Sequence, residues 1–133
     1  MTMRTMQPGE ELKSVTLPPV SRLDLIKYAG ASGDFNPIHT IDEEAENAGL
    51  PGIIAHGMWT MGNLTQLFTP YLEDGLVTDY HIRFRGMVFL DDVLTLTATL
   101  TERDGTHLTF DIGTVKANGD TVLAGQAVYE LYE

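Results

Sequence analysis

The residues of this sequence best suited to chemistry are a carboxylate and an imidazole, Asp34 and His39, which stand close together in one short segment. The segment reads Gly-Asp-Phe-Asn-Pro-Ile-His, and its proline keeps Asn36 out of the α region, so the chain is expected to turn here. An imidazole both accepts and donates a proton near neutral pH, and a neighbouring carboxylate can fix its orientation. The pattern therefore favours an acid/base pair that moves a proton on a bound substrate.

Each of these residues also has a plainer explanation. Asp34 can serve only to form the turn, and a single histidine such as His39 is more often structural or exposed than catalytic. A metal site built from Asp34, His39 and His56 is a further alternative, but the spacing of these residues matches no common ligand pattern. We therefore expect no metal and no other cofactor.

The second notable feature is a long stretch without charged side chains. From Asn47 through Leu72 the sequence has no Asp, Glu, Lys or Arg, but its prolines and polar residues argue against a membrane span. We predict instead a buried helix that begins near His56 or Gly57, ends by Thr69 and is apolar nearly all round. The first N–H groups of a helix lack partners within it, and a glycine at position 57 would let a substrate oxygen approach them.

Short helices are expected around the turn. Ser21 is a good N-cap for a helix that runs to Ala29 and breaks at Gly30. Asn36-Pro37 has the composition of an N-cap followed by a first helical residue and starts a brief helical turn. A third helix is expected within residues 42–49, because acidic residues begin this segment and a glycine ends it.

The second half of the chain has the period of two that is typical of strands. Apolar and polar residues alternate in 79–85 and again in 94–101, an Asp-Gly turn signal follows at Asp104-Gly105, and a last strand covers Thr121 to Leu131. These strands are expected to form an antiparallel meander, which can bury one uncharged helix by curling around it. We predict an α+β chain of the hot-dog fold, with a single domain over residues 1–133.

Length and charge set limits on function. The 133 residues, 43% of them hydrophobic, suit one domain that would build a deep site more easily as a dimer. The net charge of -11 argues against nucleic-acid binding, and the lack of cysteine excludes a thiolate nucleophile. The N-terminal residues lack the pattern of a secretory signal, so we expect a cytoplasmic protein that binds neither nucleic acid nor membrane.

The segment from Tyr28 to His39 resembles the signature of the MaoC-like dehydratases, also called the (R)-specific enoyl-CoA hydratase family. Two further segments support the resemblance: Ala55-His-Gly-Met58, which looks like the start of that family's central helix, and the strand around Tyr80 to Phe84. Within the family the chain is similar to the catalytic B subunit of the heterodimeric (3R)-hydroxyacyl-ACP dehydratases. The resemblance implies reversible dehydration of (3R)-hydroxyacyl thioesters to trans-2-enoyl thioesters, in fatty-acid or related lipid metabolism.

The same resemblance implies roles for individual residues. It makes Asp34 and His39 the catalytic pair and directs the backbone N–H of Gly57 at the thioester carbonyl. Asn36 would shape the loop, and Thr65, where some members have a serine, would support the carboxylate. The residues expected to bind the substrate are His56, Trp59, Met61, Arg83 and Arg85, with Leu64 and Phe68 as further apolar walls for the acyl chain. For His56 a capping or packing role is the first interpretation and substrate contact the second. Arg83 and Arg85 are interpreted first as a polar face of the strand and second as contacts for a phosphate.

Several alternatives stay open at this point. The substrate is an acyl-CoA or an acyl-ACP, and the partner is a second copy in a homodimer or a second hot-dog subunit in a heterodimer. A homodimeric hydratase for short acyl-CoA is therefore one alternative. A non-catalytic subunit that only shapes an acyl-binding channel is another, although it would have no need of Asp34 and His39. A thioesterase is disfavoured because it would require a carboxylate on or near the central helix, and residues 47–72 have none.

Overall fold

The computed structural model describes residues 2–133, and its five strands form one antiparallel sheet. The strands are β1 (Val15–Thr16), β2 (Gly75–Phe84), β3 (Leu94–Asp104), β4 (His107–Lys116) and β5 (Thr121–Leu131). The helices are α1 (Arg22–Ser32), α2 (Asp42–Asn47) and α3 (Gly57–Leu64), with 3₁₀ turns at Pro37–His39, Thr65–Leu67 and Thr69–Tyr71. One face of the sheet packs against α3 and its following turns, which confirms the predicted hot-dog fold. Within the described residues, no helix combines the length and the apolar composition needed to cross a bilayer.

The strand order corrects the predicted meander. The sheet runs β1-β3-β4-β5-β2, so β3, β4 and β5 are consecutive neighbours as expected. However, β2 pairs with β5 at the far edge, where Arg83 lies opposite Ala124, and it makes no ladder with β3. The segment 85–93 joins β2 to β3, and because it is a long connection rather than a tight turn, it allows β2 to lie across the sheet from β3.

The core lies between the inner face of the sheet and the segment that begins with α3. Every second residue of β3 from Leu94 to Leu100 has no exposed surface, as the alternation predicts. Phe110 of β4 meets Phe68 edge-on, with 5.4 Å between the ring centroids. Leu64 and Phe68 are 0% and 2% exposed, so they belong to this core and do not line an open channel.

The central helix differs from its prediction in length and in burial. It begins at Gly57 as expected, but regular α geometry ends at Leu64. Thr60 and Leu64 are buried, whereas Met58 is 56% exposed and open space surrounds Gly62. The prediction of a helix buried all round is therefore wrong for this chain, because its own sheet covers only one face.

Tyr80 of β2 fixes the end of α3. The backbone N–H of Thr65 bonds to the carbonyl of Gly62 in the 3₁₀ turn, and the hydroxyl of Tyr80 donates to the carbonyl of Met61. Burial raises the pKa of Tyr80 to about 12, so this hydroxyl keeps its proton and remains a donor. The edge strand and the central helix are thereby held together by one side chain.

The first helix, α1, ends later than the predicted break at Gly30. Ser21 caps α1 and takes part in a capping box, as its type predicts. The helix continues through Gly30, since one interior glycine costs only about 1 kcal/mol. It ends at Gly33, whose φ of 78° is left-handed and suits glycine. Asp34 is consequently the first residue beyond the helix cap.

Arg103 of β3 attaches the N-terminal segment to the sheet. One nitrogen of its guanidinium donates to the carbonyls of Met3 at 2.9 Å and Met6 at 3.0 Å, and the other donates to the carbonyl of Arg4 at 2.8 Å. Met3 and Met6 have no exposed surface. The planar fork of donors on an arginine can bind several acceptors at once, and here it closes one end of the core.

We predict that Arg103→Leu lowers the free energy of unfolding by on the order of 3 kcal/mol, because three hydrogen bonds from a charged donor are lost. Urea unfolding followed by the fluorescence of Trp59 measures the change. Lys13→Leu, which removes a charge of the same sign from an exposed side chain, is the control. Equal unfolding midpoints for both variants would contradict this role of Arg103.

Candidate active site

Asp34 begins the loop after α1, and local hydrogen bonds fix its carboxylate. Oδ1 of Asp34 accepts from the N–H of Asn36 at 3.2 Å, and Oδ1 of Asn36 accepts from the N–H of Ile38 at 3.2 Å. The N–H of Asp34 donates to the hydroxyl of Ser32 at 3.1 Å. This is the turn chemistry of short polar side chains, and Asn36 thereby shapes the loop. The other carboxylate oxygen of Asp34 is left to face His39.

His39 closes the same loop, and its ring has a defined tautomer. Nδ1 lies 2.7 Å from the carbonyl oxygen of Ile54, and because a carbonyl only accepts, Nδ1 carries the proton. Nε2 keeps its lone pair and lies 3.8 Å from Oδ2 of Asp34. The side chain of His39 is 10% exposed and that of Asp34 is 51% exposed. The pair is therefore backed by protein on one side and open to solvent on the other.

The segment 53–56 connects this pair to the sheet. The N–H of Ile54 donates to the carbonyl of Ile38 at 3.2 Å, and the N–H of Ala55 donates to the carbonyl of Val88 at 2.8 Å. Ile54 thus bonds the loop of Asp34 and His39 through its N–H and the ring of His39 through its carbonyl. The position of the imidazole follows from the extended backbone that leads into α3.

His56 stands at the N-cap of α3 and is 2% exposed. Its ring stacks on that of His39, and its Nε2 lies 3.1 Å from the carbonyl oxygen of Asp34. Burial lowers the pKa of His56 and the nearby His39 lowers it further, while the hydrogen bond to Asp34 and the carboxylate of that residue act in the opposite direction. His56 therefore packs at the start of the helix, as the first of its two interpretations predicts, and its contact with a substrate stays a prediction.

Asp34, His39 and His56 offer metal-ligand atoms within 4.8 Å of one another. The two imidazole rings are stacked, with 3.8 Å between their centroids and 22° between their planes, so lone pairs that lie in these two planes do not converge on a point close to both rings. Structural and catalytic zinc sites need converging ligands, so this arrangement suits proton transfer better than metal binding.

Gly57, the first residue of α3, combines a free donor with close packing. Its N–H has no acceptor among the described residues. A Cβ at this position would lie 2.9 Å from Cε1 of Phe84, so the aromatic ring leaves no space for a side chain. Gly57 also lines an apolar cavity of about 190 Å³, whose other walls include Thr60, Phe84, Met87, Val122 and Leu123.

Three predicted site residues lie on α3 or just beyond it and make no hydrogen bond to Asp34 or His39 within residues 2–133. The hydroxyl of Thr65 donates to the carbonyl of Gly62 at 2.6 Å, at the far end of the helix from His56. Trp59 and Met61 are half-buried. The predicted support of the catalytic carboxylate by Thr65 therefore has no counterpart among the contacts of residues 2–133.

The two predicted arginines lie at the edge of the sheet. Arg83 is exposed on β2, and Arg85 lines a wider cavity of about 480 Å³ that shares part of its wall with the apolar one. Lys116 lines the same wide cavity but is paired with Asp92 at 3.0 Å. In the part of the chain that the structure describes, Arg85 is the basic residue of this cavity without an ion pair.

Sequence reasoning missed the residues that support the pair. The carbonyl of Ile54 selects the tautomer of His39, but every residue has such a carbonyl and no sequence signal marks this one. Arg22 of α1 donates to the carbonyl of Thr40 at 3.2 Å and so holds the loop from the other side. Tyr28 meets His56 edge-on. Both side chains lie near the motif in sequence, but their contacts depend on the fold.

Comparisons of the sequence and the fold with known proteins identify the family of this chain. The family model for the MaoC like domain matches residues 4–120. The chain is 33% identical over 89 residues to the 3-hydroxyacyl-thioester dehydratase X of Mycobacterium tuberculosis, covering 63% of this chain and 31% of that protein. It is 42% identical over 64 residues to the fatty acid synthase beta subunit TOXC of Cochliobolus carbonum, covering 46% of this chain and 3% of that protein. The chain thus spans only a minor part of these curated relatives.

The unliganded R-hydratase PhaJ1 from Pseudomonas aeruginosa has a similar solved structure. It matches with a TM-score of 0.89 at 22% identity, covering 98% of this chain and 84% of that one. At this identity the likeness shows the hot-dog fold. Because the family model spans most of the sequence and the fold agrees with it, the chain belongs to the MaoC-like dehydratase family.

Proposed function

We propose that this chain catalyses the reversible dehydration of (3R)-hydroxyacyl thioesters to trans-2-enoyl thioesters, on CoA or an acyl carrier protein, in fatty-acid or related lipid metabolism. The observation that carries the proposal is the convergence of Oδ2 of Asp34 and Nε2 of His39, at 3.8 Å, beside the start of α3. The names of the dehydratase and fatty acid synthase relatives support the substrate class.

The pair can hold one water molecule between its two members. Acceptors 3.8 Å apart are both reached by a single oxygen about 2.8 Å from each. In hydration the water oxygen bonds to C3, the pair takes up one of its protons, and the electrons of the double bond move to the thioester carbonyl. Return of a proton from the pair to C2 completes the addition, and dehydration reverses these steps.

The N–H of Gly57 is the proposed donor to the thioester carbonyl. Negative charge develops on that oxygen during the reaction, and the first N–H groups and the dipole of α3 would stabilise it. In other enzymes, removal of one such donor costs about 2.7 to 4 kcal/mol of transition-state stabilisation. His56 contacts the pair and directly precedes Gly57. The backbone donor is therefore one residue away from a side chain that touches Asp34 and His39.

The apolar cavity beside Gly57 is the proposed place for the acyl chain. Its volume of about 190 Å³ is below the range of about 300 to 1,000 Å³ that is usual for drug-sized ligands, which favours short chains. Arg85, in the adjoining cavity, is the proposed contact for a phosphate of the carrier, with Arg83 as a second contact on the same edge. A chain of net charge -11 would repel an acidic carrier protein except at such a basic position.

The open face of α3 is the proposed contact with a second hot-dog subunit, either a second copy or a different chain. Met58 is 56% exposed and Phe84 is 54% exposed, and clustered apolar side chains of this kind mark protein contacts. In such a dimer Trp59 and Met61 would border the acyl channel. Thr65 lies exposed in the 3₁₀ turn that follows α3, where a supporting role would require a carboxylate from the partner.

Asp34→Asn and His39→Ala are each expected to lower kcat for a short trans-2-enoyl-CoA by at least about 10²-fold, since a positioned acid or base contributes on that order. Loss of the enoyl absorbance measures the rate. Circular dichroism shows whether each variant is folded.

Asp79→Asn and His81→Ala are the matched controls for this experiment. These side chains form another Asp–His pair, at 3.4 Å, but are 60% and 64% exposed on β2. Both control substitutions should leave kcat unchanged, because an Asp and a His that are merely close to each other do not form an active site. Wild-type rates in the Asp34 and His39 variants, or equal losses from both pairs, would refute the proposed function.

Met87→Trp tests the place of the acyl chain. Met87 is 50% exposed at the cavity rim, so a larger side chain can narrow the opening without disturbing the core. We expect kcat/KM to fall about tenfold more for a medium-chain than for a short-chain enoyl-CoA. Leu72→Trp, at a position 52% exposed and outside the cavity, should change neither value. Equal losses for both chain lengths would place the acyl chain elsewhere.

A further inference from the structure

His56 is enclosed between the catalytic loop and the start of α3, with 2% of its surface exposed. Its ring is stacked on that of His39, with 3.8 Å between the centroids and 22° between the planes. The ring of Tyr28 meets it edge-on at 4.8 Å. Packing therefore determines the orientation of this imidazole.

The two ring nitrogens of His56 have different surroundings. Nε2 lies 3.1 Å from the carbonyl oxygen of Asp34 and carries the proton, because a carbonyl only accepts. Nδ1 is buried and has no hydrogen-bond partner among residues 2–133. Buried polar atoms are nearly always partnered, so an imidazole held here with one nitrogen unpaired points to a role beyond packing.

The groups that face His56 determine its charge. They are the carboxylate and carbonyl of Asp34, the imidazole of His39 and the ring of Tyr28. Burial, with a further contribution from His39, lowers the pKa of His56 and outweighs the opposite influence of Asp34. A neutral ring matters for the reaction proposed above, because a second cation stacked on His39 would oppose its uptake of a proton.

We propose that His56 is a positioning residue, which holds the acid/base pair in a fixed relation to the backbone donor at Gly57. Its Nε2–H fixes the main chain at Asp34, its ring face supports the imidazole of His39, and its own backbone leads into α3. The inference rests on the proposed function and adds to it a side chain that acts through the pair, without touching the water or the substrate.

Two substitutions separate the two contacts of His56. His56→Gln keeps an N–H donor near the place of Nε2 but removes the stacked ring, whereas His56→Phe keeps a ring and removes the donor. Each is expected to lower kcat about tenfold, and His56→Ala on the order of 10²-fold, because misplaced reacting groups slow the chemical step. KM should stay near the wild-type value, since substrate binding is unchanged.

Leu108→Ala distinguishes positioning from a general loss of stability. Leu108 is fully buried on β4 and pairs with Arg103 and Tyr129, away from the strand segment next to Phe84. It should lower the unfolding midpoint at least as far as His56→Ala does, while the folded protein keeps the wild-type kcat. An equal loss of kcat in Leu108→Ala would overturn the positioning role.

Nitrogen NMR of protein labelled at its four histidines gives a readout that does not depend on turnover. We expect sharp signals from the ring nitrogens of His39 in the wild type and shifted, broadened signals in His56→Ala, because the stacked ring no longer limits the motion of the imidazole. Wild-type kcat in all three His56 variants, or unchanged signals from His39, would overturn the positioning role and leave the proposed function intact. An inactive wild type that still shows the NMR change would instead overturn the proposed function alone.

Discussion

The candidate site depends on the hydrogen bond from Nδ1 of His39 to the carbonyl of Ile54. This bond decides which ring nitrogen keeps its lone pair, and so directs Nε2 at the carboxylate of Asp34. The carbonyl is itself held in place, because the neighbouring backbone bonds Ile38 on one side and Val88 on the other. The two side chains of the candidate site, on a largely exposed loop, are thereby anchored to the sheet.

Around this bond, the chain builds a site from two kinds of structure. Local turn bonds of Asp34 and Asn36 shape the loop, while long-range packing sets the start of α3 and the cavity beside Gly57. Phe84 belongs to the second kind, since it reaches from the edge strand to the backbone of that glycine. Within this chain the inner face of α3 is buried, whereas its outer face is exposed.

Features with local causes could be predicted from the sequence, and features set by distant contacts could not. The cap at Ser21, the hairpin at Asp104-Gly105 and the bounds of β5 follow from residue types close in sequence. The place of β2 in the sheet and the open face of α3 depend on packing that alternation does not encode. The helix end at Gly33 has a local cause, but the sequence offered two glycines and the prediction chose the earlier one, Gly30. In the candidate site, the sequence motif indicated Asp34 and His39. The bond between His39 and the carbonyl of Ile54 could be found only in the folded structure.

Arg103 has a consequence for the order in which the molecule is assembled. It binds carbonyls of residues that precede it by 97 to 100 positions, so residues 3–6 have no docking place on the sheet until β3 has been synthesised. Contacts of such separation form late, because a long loop must close before they contribute. The side chains of Met3 and Met6, which have no exposed surface in the folded structure, can accordingly reach this buried state only after the third strand is complete.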